Sequence, residues 1–436
     1  MSIKILKFSY GFCIYMKTIE KNKKTDIKYI MKLLKIGAHM KNNIIEFQSK
    51  EMEEKKKINK KKLIITIIAV VILLIVIIST IIYCFNKPFR NFLDVYLFRK
   101  NIAGGDATVI DIGYEANVNI IENYKYISIL SENKLKQYSP SGKIESELEV
   151  KINNPIYSAN GRYLAIGEKD SNKIYLICEN NILWEKEIEG NISKINVNPN
   201  GYVSIILKGT THKSVIATYE PKGKELFKTY LSTTNAIDSC ISKDNKYLSF
   251  AEVNTTGTVI QSNIKVISIE KAKQEPAEAI IYTYAANSND LVTNIKYQDK
   301  NKLICMYDSS IHMIYNEIDE NIMQLDENAK KADIELENYI IKATEQSSGL
   351  FSADTNIEIK NITSGKSIIY TIEGVAKSIY CRGETIAINI GSEVEFIHTN
   401  GWLIKRYKSL QEIKDVVLCE GAAAIVYRDK IEIVNL

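Results

Sequence analysis

Proline and glycine are scarce in this 436-residue chain, at 6 and 20 residues, which excludes a collagen-like or linker-dominated polypeptide. Histidine and tryptophan are rarer still, with His39, His212, His312 and His398 far apart and Trp184 and Trp402 alone. None of the seven cysteines forms a Cys-x-x-Cys pair, so zinc-ribbon and dithiol spacings are missing. Also missing are Gly-x-Ser-x-Gly, the P-loop and Gly-x-Gly-x-x-Gly. Acidic pairs such as Glu53-Glu54 and Asp319-Glu320 read as solvated surface charge, and Gly104-Gly105-Asp106 reads as a turn. No catalytic, cofactor-binding or metal-ligating residue is assigned from the sequence, and no cofactor is expected.

What is present is uneven. The apolar share of 45% excludes wholesale disorder. The formal charge of +5 hides a split, because residues 1–62 hold 17 Lys against 6 acidic residues, whereas residues 63–436 hold 40 basic against 46 acidic. A remainder with a net charge of −6 has no electrostatic footprint for nucleic acid, and none is expected as a partner.

Residues 63–83 read LIITIIAVVILLIVIISTIIY, 21 residues without charge, glycine or proline. As a helix this run is about 31 Å long, enough for a hydrocarbon core of roughly 30 Å. It exceeds a signal-peptide core of about 7–15 residues and lacks a small-x-small exit, so an uncleaved span over 63–84 is expected. Lys55, Lys56, Lys57, Lys60, Lys61 and Lys62 crowd its N-terminal side, against Lys87, Arg90, Arg99 and Lys100 spread along the other. This asymmetry predicts a cytoplasmic N-terminus and an outer C-terminal region, the lysine run serving as topology signal and contact for membrane lipid. Residues 1–62 are thus read as a basic cytoplasmic tail, with Met31, Met40 or Met52 as later alternative starts, and 85–106 as a juxtamembrane linker.

From residue 107 onward, short Val-, Ile-, Tyr- and Thr-rich runs alternate with turn residues. A turn followed by a strand recurs as Asn160-Gly161-Arg162-Tyr163-Leu164-Ala165, Asn200-Gly201-Tyr202-Val203-Ser204 and Asp244-Asn245-Lys246-Tyr247-Leu248-Ser249. Weaker copies start at Tyr126, Leu303, Tyr339, Thr385 and Ala422, giving intervals of 37, 39, 45, 56, 36, 46 and 37 residues. That period fits propeller blades of about 40–50 residues. The third strand position is small in seven copies (Ser128, Ala165, Ser204, Ser249, Cys305, Ala387, Ala424) and Ile341 in the other, as expected where radial sheets converge toward the axis. The tyrosines that recur at one repeat position (126, 163, 202, 247, 339) read as packing residues rather than a sugar-stacking surface.

In the second unit the pattern predicts strands at 152–158, 163–168, 173–178 and 182–187. The long fourth interval is assigned to an extended hairpin around Thr255-Thr256-Gly257 and a charged loop from Lys271 to Glu278. The last unit offers only 413–419, 422–427 and 430–434, and 107–113 is the candidate fourth strand, which would close the ring and hide both sheet edges. The fold expected over 107–436 is all-β, an eight-bladed β-propeller closed by pairing of its N- and C-terminal strands. Seven blades is the alternative, because the unit around 333–373 is irregular. Buried free cysteines are expected, with a Cys381–Cys419 disulfide between adjacent blades as the alternative.

The pieces Ser158-Ala159-Asn160-Gly161-Arg162-Tyr163-Leu164-Ala165 and Ser242-Lys243-Asp244-Asn245-Lys246-Tyr247-Leu248-Ser249 resemble WD40-like blades. Ser139-Pro140-Ser141-Gly142-Lys143 and Glu220-Pro221-Lys222-Gly223-Lys224, with Asn400-Gly401-Trp402 more loosely, resemble the third-to-fourth-strand turn of quinoprotein-like propellers. The whole plan is similar to an uncharacterised family of single-span Gram-positive bacterial membrane proteins classed as a domain of unknown function. Ala236-Ile237-Asp238-Ser239-Cys240-Ile241-Ser242 is its most family-like stretch. The resemblance covers 63–436; it implies fold and topology and carries over no catalytic residue. The WD40 Trp-Asp and Gly-His signatures and the regular quinoprotein tryptophans are absent.

The expected function is a membrane-anchored extracytoplasmic binding or scaffold module for an envelope protein or polymer. The alternative is a quinoprotein-like oxidoreductase or cell-wall hydrolase with its site at the axis, which two or more Asp, Glu or His converging there within hydrogen-bond reach would favour, whereas a filled, apolar or simply wet channel favours binding.

Overall fold

A computed structural model describes residues 60–86, 89, 90, 93, 107–113, 118–131, 133–209, 211–287, 290–349 and 353–436. The chain divides into two compact units, residues 1–99 and 100–436.

In the first unit, α1 (Lys60–Phe85) is one uninterrupted helix of 26 residues. It starts three residues before the apolar run, so Lys60, Lys61 and Lys62 form its first turn. Its segment Ile65–Phe85 is long and apolar enough to cross a membrane, and none of these residues is buried. The Thr80 hydroxyl donates back to the Val76 carbonyl at 2.7 Å, so this polar group brings its own acceptor. Lys55, Lys56, Lys57 and Gly104-Gly105-Asp106 lie outside the described residues.

The second unit is an eight-bladed β-propeller of eight four-stranded antiparallel sheets. Strand β1 (Thr108–Asp111) belongs to the last blade. Blade 1 holds β2 (Asn119–Asn123), β3 (Tyr126–Ser131), β4 (Lys134–Tyr138) and β5 (Ile144–Glu149). Blade 2 holds β6 (Pro155–Asn160), β7 (Tyr163–Glu168), β8 (Lys173–Cys178) and β9 (Asn181–Glu187). Blade 3 holds β10 (Asn191–Val197), β11 (Val203–Lys208), β12 (Ser214–Tyr219) and β13 (Glu225–Leu231). Blade 4 holds β14 (Asn235–Ile241), β15 (Tyr247–Asn254), β16 (Gln261–Ser268) and β17 (Ile280–Ala285). Blade 5 holds β18 (Val292–Tyr297), β19 (Lys302–Tyr307), β20 (Ser310–Tyr315) and β21 (Ile318–Gln324). Blade 6 holds β22 (Ala329–Asp333), β23 (Tyr339–Ser347), β24 (Ala353–Asn361) and β25 (Ser367–Ile372). Blade 7 holds β26 (Ser378–Arg382), β27 (Thr385–Asn389), β28 (Glu393–His398) and β29 (Leu403–Lys408). Blade 8 holds β30 (Asp415–Cys419), β31 (Ala422–Val426) and β32 (Lys430–Asn435), completed by β1 in the register Thr108↔Ile433 to Asp111↔Lys430.

Burial explains the patterning. The second strands β3, β7 and β11 are covered on both faces by neighbouring blades and read as continuous apolar runs, whereas the outer strands β5 and β17 alternate. Apolar clusters join blades 1–2, 2–3, 3–4, 4–5, 5–6, 7–8 and 8–1, and blades 6 and 7 touch through β22 and β26.

The small third residues lie on these second strands and, as expected, let neighbouring blades approach. They leave room for the first strand of the next blade. The Ser204 and Ser239 hydroxyls meet at 3.0 Å between blades 3 and 4, and those of Ser249 and Tyr297 at 2.7 Å between blades 4 and 5.

Two expectations need revision. The first strand of blade 2 runs from Pro155, because Val150 and Ile152 are spent on the buried crossing from blade 1. Within Lys271 to Glu278 the chain forms a helix, α2 (Ile269–Gln274), and a 3-10 turn (Pro276–Glu278) rather than a loop. Ser268 caps the helix by accepting from the Lys271 amide, and Ile269 and Ala272 bury one side of it. Cys381 and Cys419 are both free and buried, as expected, so the alternative disulfide is not formed, and the Cys381 thiol lies beside Asp333.

Candidate functional site: the propeller axis and its turn face

In each blade the turns joining strands one to two and three to four share one end of the sheet. Gly142, Gly223 and Gly401 occupy the predicted three-to-four turns with φ of +79°, +81° and +76°. At Gly223 a Cβ would stand 3.0 Å from the Trp184 ring, whose Nε1 donates to the Pro221 carbonyl at 3.1 Å, so this tryptophan docks blade 2 on blade 3. Both described ends of the propeller reach the same face: Thr108 donates to the Ser141 carbonyl at 3.2 Å, and the Leu436 amide to the Gly421 carbonyl at 2.9 Å.

Four consecutive first strands carry a register shift at one equivalent place: Ile192/Lys194 in β10, Ala236/Asp238 in β14, Val292/Asn294 in β18 and Ala329/Lys331 in β22. The first strands of blades 1, 2, 7 and 8 pair without one. A bulge re-aims the residue that follows it. Three of those residues meet: Lys194 Nζ reaches Asp238 Oδ1 at 2.9 Å and Asn294 Oδ1 at 3.4 Å. Asp238, 3% exposed, also accepts from Asn196 Nδ2 (2.7 Å), the Ser239 amide (2.9 Å) and the Ile295 amide (2.9 Å), so one carboxylate ties blades 3, 4 and 5 together.

The remaining charges also pair across blades. Arg382 Nη1 of blade 7 sits 2.9 Å from Glu122 Oε1 of blade 1, skipping blade 8. Lys296 Nζ of blade 5 donates to the Glu335 carbonyl at 2.8 Å and to its carboxylate in blade 6. Lys243 of blade 4 bridges to Glu337 of blade 6 at the rim. Glu122 and Glu335 keep 38% and 55% of their side chains exposed, which makes the middle of the ring wet. Partial burial raises Glu122 against the opposing pull of Arg382. Burial would lift Glu335 too, but Lys296, aided by Lys194 and Arg382, outweighs it and holds its carboxyl low. The Tyr157 hydroxyl is pushed up to about 12 by burial and by Glu122 and Asp415.

The mouth opens on the turn face as a depression of about 880 Å³, lined by groups including Asn160, Lys243, Asn338, Tyr339, Thr363 and Ser364. Hydrogen-bonding groups and charges of both signs share this lining with apolar surface.

Asp333 stands apart because it makes no ion pair of its own among the described residues: burial and Glu335 push its carboxyl up, and Lys296 and the Cys381 thiol oppose that more weakly. It accepts from the Glu335 amide at 2.7 Å, and its carboxyl is pushed up to about 6, chiefly by burial and then by Glu335. A carboxyl that holds its proton more tightly when folded stabilises the fold below its ordinary value of 3.8 and loses that contribution as pH rises through about 6. Asp333→Asn is therefore expected to raise the thermal midpoint by about 2–4 °C at alkaline pH and to leave it unchanged in acid, as read by scanning calorimetry over a pH series.

The sequence-level candidates are dispersed. His212, His312 and His398 lie in blades 3, 5 and 7, with Ser232 (3.1 Å), Asp319 (2.9 Å) and Glu384 (3.2 Å) as separate partners, and His39 lies outside the described residues. Among the described residues no group of three His, Cys, Asp or Glu is placed to hold a metal ion. The axial residues went unnoticed because neither a one-residue bulge nor a pairing across blades leaves a spacing motif. The nearest signal was the family-like stretch 236–242, which contains Asp238.

Residues 108–436 match a family described as a family of unknown function (DUF5711). The chain belongs to that family. No curated protein matches this DUF5711 chain. Among solved structures it is similar to BamB from Moraxella catarrhalis (10% identity, 76% of this chain and 99% of that one, TM-score 0.47). It is also similar to the C-terminal WD40 domain of Sif2 (11%, 76% and 99%, TM-score 0.49) and to Sqt1 from Chaetomium thermophilum (9%, 77% and 98%, TM-score 0.49). At these scores the likenesses carry no functional argument.

Proposed function

We propose that this DUF5711 chain is a membrane-anchored extracytoplasmic module that binds or scaffolds an envelope protein or polymer. In this reading residues 1–62 are cytoplasmic, 63–84 cross the cell membrane and 107–436 lie outside, joined by the linker 85–106. The span meets membrane lipid, and Lys55, Lys56, Lys57, Lys60, Lys61 and Lys62 sit near anionic headgroups. The observation that carries the binding reading is the mouth at the axis. It is wet, polar and roomy, and Glu122, Asp238, Glu335 and Glu337 are each committed to Arg382, Lys194, Lys296 or Lys243. An oxidoreductase or hydrolase would instead need an uncommitted carboxylate in the mouth to handle protons, and of the acids lining it Glu335 and Glu337 are tied to lysines and Glu384 to His398, while Asp333 is not part of the lining.

The test uses two positions on opposite faces of the full chain in its own membrane. A photocrosslinking residue at Ser364, in the mouth, is expected to capture an envelope protein or polymer, and the same residue at Leu410, on the far face, to capture none. Equal capture at both would reject the mouth as the binding surface. In intact cells, Leu410→Cys should react with a membrane-impermeant maleimide, since Leu410 is fully exposed. Labelling only after lysis would reverse the topology.

A further inference from the structure

Off the axis, between blades 4 and 5, the turn face holds a second and smaller pocket of about 180 Å³. Sites for drug-sized ligands occupy roughly 300–1,000 Å³, so this one suits a single compact group. Its floor is apolar, with Val266, Leu303 and Ile314 buried. Four tyrosines line it: Tyr247, Tyr282, Tyr284 and Tyr297. Tyr282 and Tyr284 project from the same side of the outer strand β17 with ring centroids 6.4 Å apart, and Tyr282 is 37% exposed. The polar rim is Asn301, Asn316 and Glu317, and no lining residue is basic.

The carboxylate at this rim is held at a cost. Asn316 and Glu317 form the β20–β21 turn with φ of +49° and +68°. Two-residue hairpin turns with both φ positive favour Asn-Gly. A glutamate in the glycine position is strained, and such strain accumulates at functional sites. The Glu317 side chain accepts from the Tyr282 hydroxyl at 2.5 Å, which fixes that ring and enriches its π electrons.

Several electron-rich aromatic faces, one fixed carboxylate and no basic lining together select an organic cation, which binds tyrosine faces within about 6 Å of the centroid. The neighbouring Lys302 already does this with Tyr315, its Nζ 5.5 Å from the ring centre. We propose that the pocket between blades 4 and 5 binds a quaternary or alkylammonium group. A neutral sugar would stack on the rings and donate hydroxyls to the carboxylate but gain nothing from its charge, so methyl glucoside is the competing probe. The inference stands whether or not the axial mouth is a binding surface, because the two sites are separately lined apart from Tyr297.

The test is isothermal titration calorimetry of the full chain in maltoside micelles, with choline chloride as the probe. Choline is expected to bind saturably at one site. Its neutral carbon isostere, 3,3-dimethylbutan-1-ol, should bind about tenfold more weakly. Tyr282→Leu, which keeps apolar bulk without the ring, and Glu317→Gln, which keeps the turn without the charge, should each weaken choline by about tenfold or more. Glu317→Gly should weaken choline while raising the thermal midpoint, a pair of opposite signs that a purely structural glutamate does not produce. No choline heat, equal affinity for the isostere, preference for methyl glucoside, or unchanged binding by Tyr282→Leu would each overturn the proposal.

Discussion

Asp238→Ala is expected to destabilise the propeller by about 3–5 kcal/mol, the range for removing one partner of a buried ion pair. The carboxylate has four donors from three blades, and Lys194 is its cation. Alanine leaves the Ile295 and Ser239 amides and the Asn196 amide group short of an acceptor, and Lys194 without a counter-charge in a partly buried place. Lys194→Met should be milder because the carboxylate it leaves behind keeps its donors Asn196, Ser239 and Ile295, and the double variant should cost less than the sum of the two because no unpaired charge remains. Urea unfolding of the full chain with both singles and the double measures that coupling. Additive losses would show that Asp238 acts through its amide donors and not through Lys194.

The second large effect is at the seam. Proline placed at Val109 or at Ile110 is expected to cost about 3 kcal/mol or more at whichever of the two donates its amide to β32. Neighbouring residues of an antiparallel strand alternate in that role, so the two variants serve as each other's control. Ile110 also packs on the cluster joining blades 8 and 1, with Ile431 and Ile433. Losing β1 therefore removes both hydrogen bonds and apolar contact, and it uncovers β32 as an edge open to another chain. Limited proteolysis should find the seam cut first, and size-exclusion chromatography should reveal self-association of the damaging variant. Two prolines with no effect on either would mean that the ring holds without its seam.

The blade plan was legible because the second strands are packed on both faces, which forces apolar runs with a small third residue at each repeat. The seam was legible because blade 8 lacks a strand that the chain start supplies. Blade 6 looked irregular because Ile341 replaces the small residue and β23 and β24 each run to nine residues. The axial network was not legible, because Lys194, Asp238 and Asn294 are aimed by bulges, and a bulge alters register without altering composition. Arg382 and Glu122 lie 260 positions apart and meet only because the ring closes. The helix α2 leaves no helical period in the sequence, since its buried side consists of just Ile269 and Ala272.

The seam also sets a timetable. A ribosome working at roughly 5–20 residues per second makes Lys430 more than 300 residues after its partner Asp111, roughly 15–60 s later. Through that interval blades 1 to 7 can finish as they emerge, while the earliest strand waits with its ladder side bare. A permuted gene that begins at codon 112 and carries 107–111 behind codon 436 would deliver all four strands of the last blade in succession and abolish the wait.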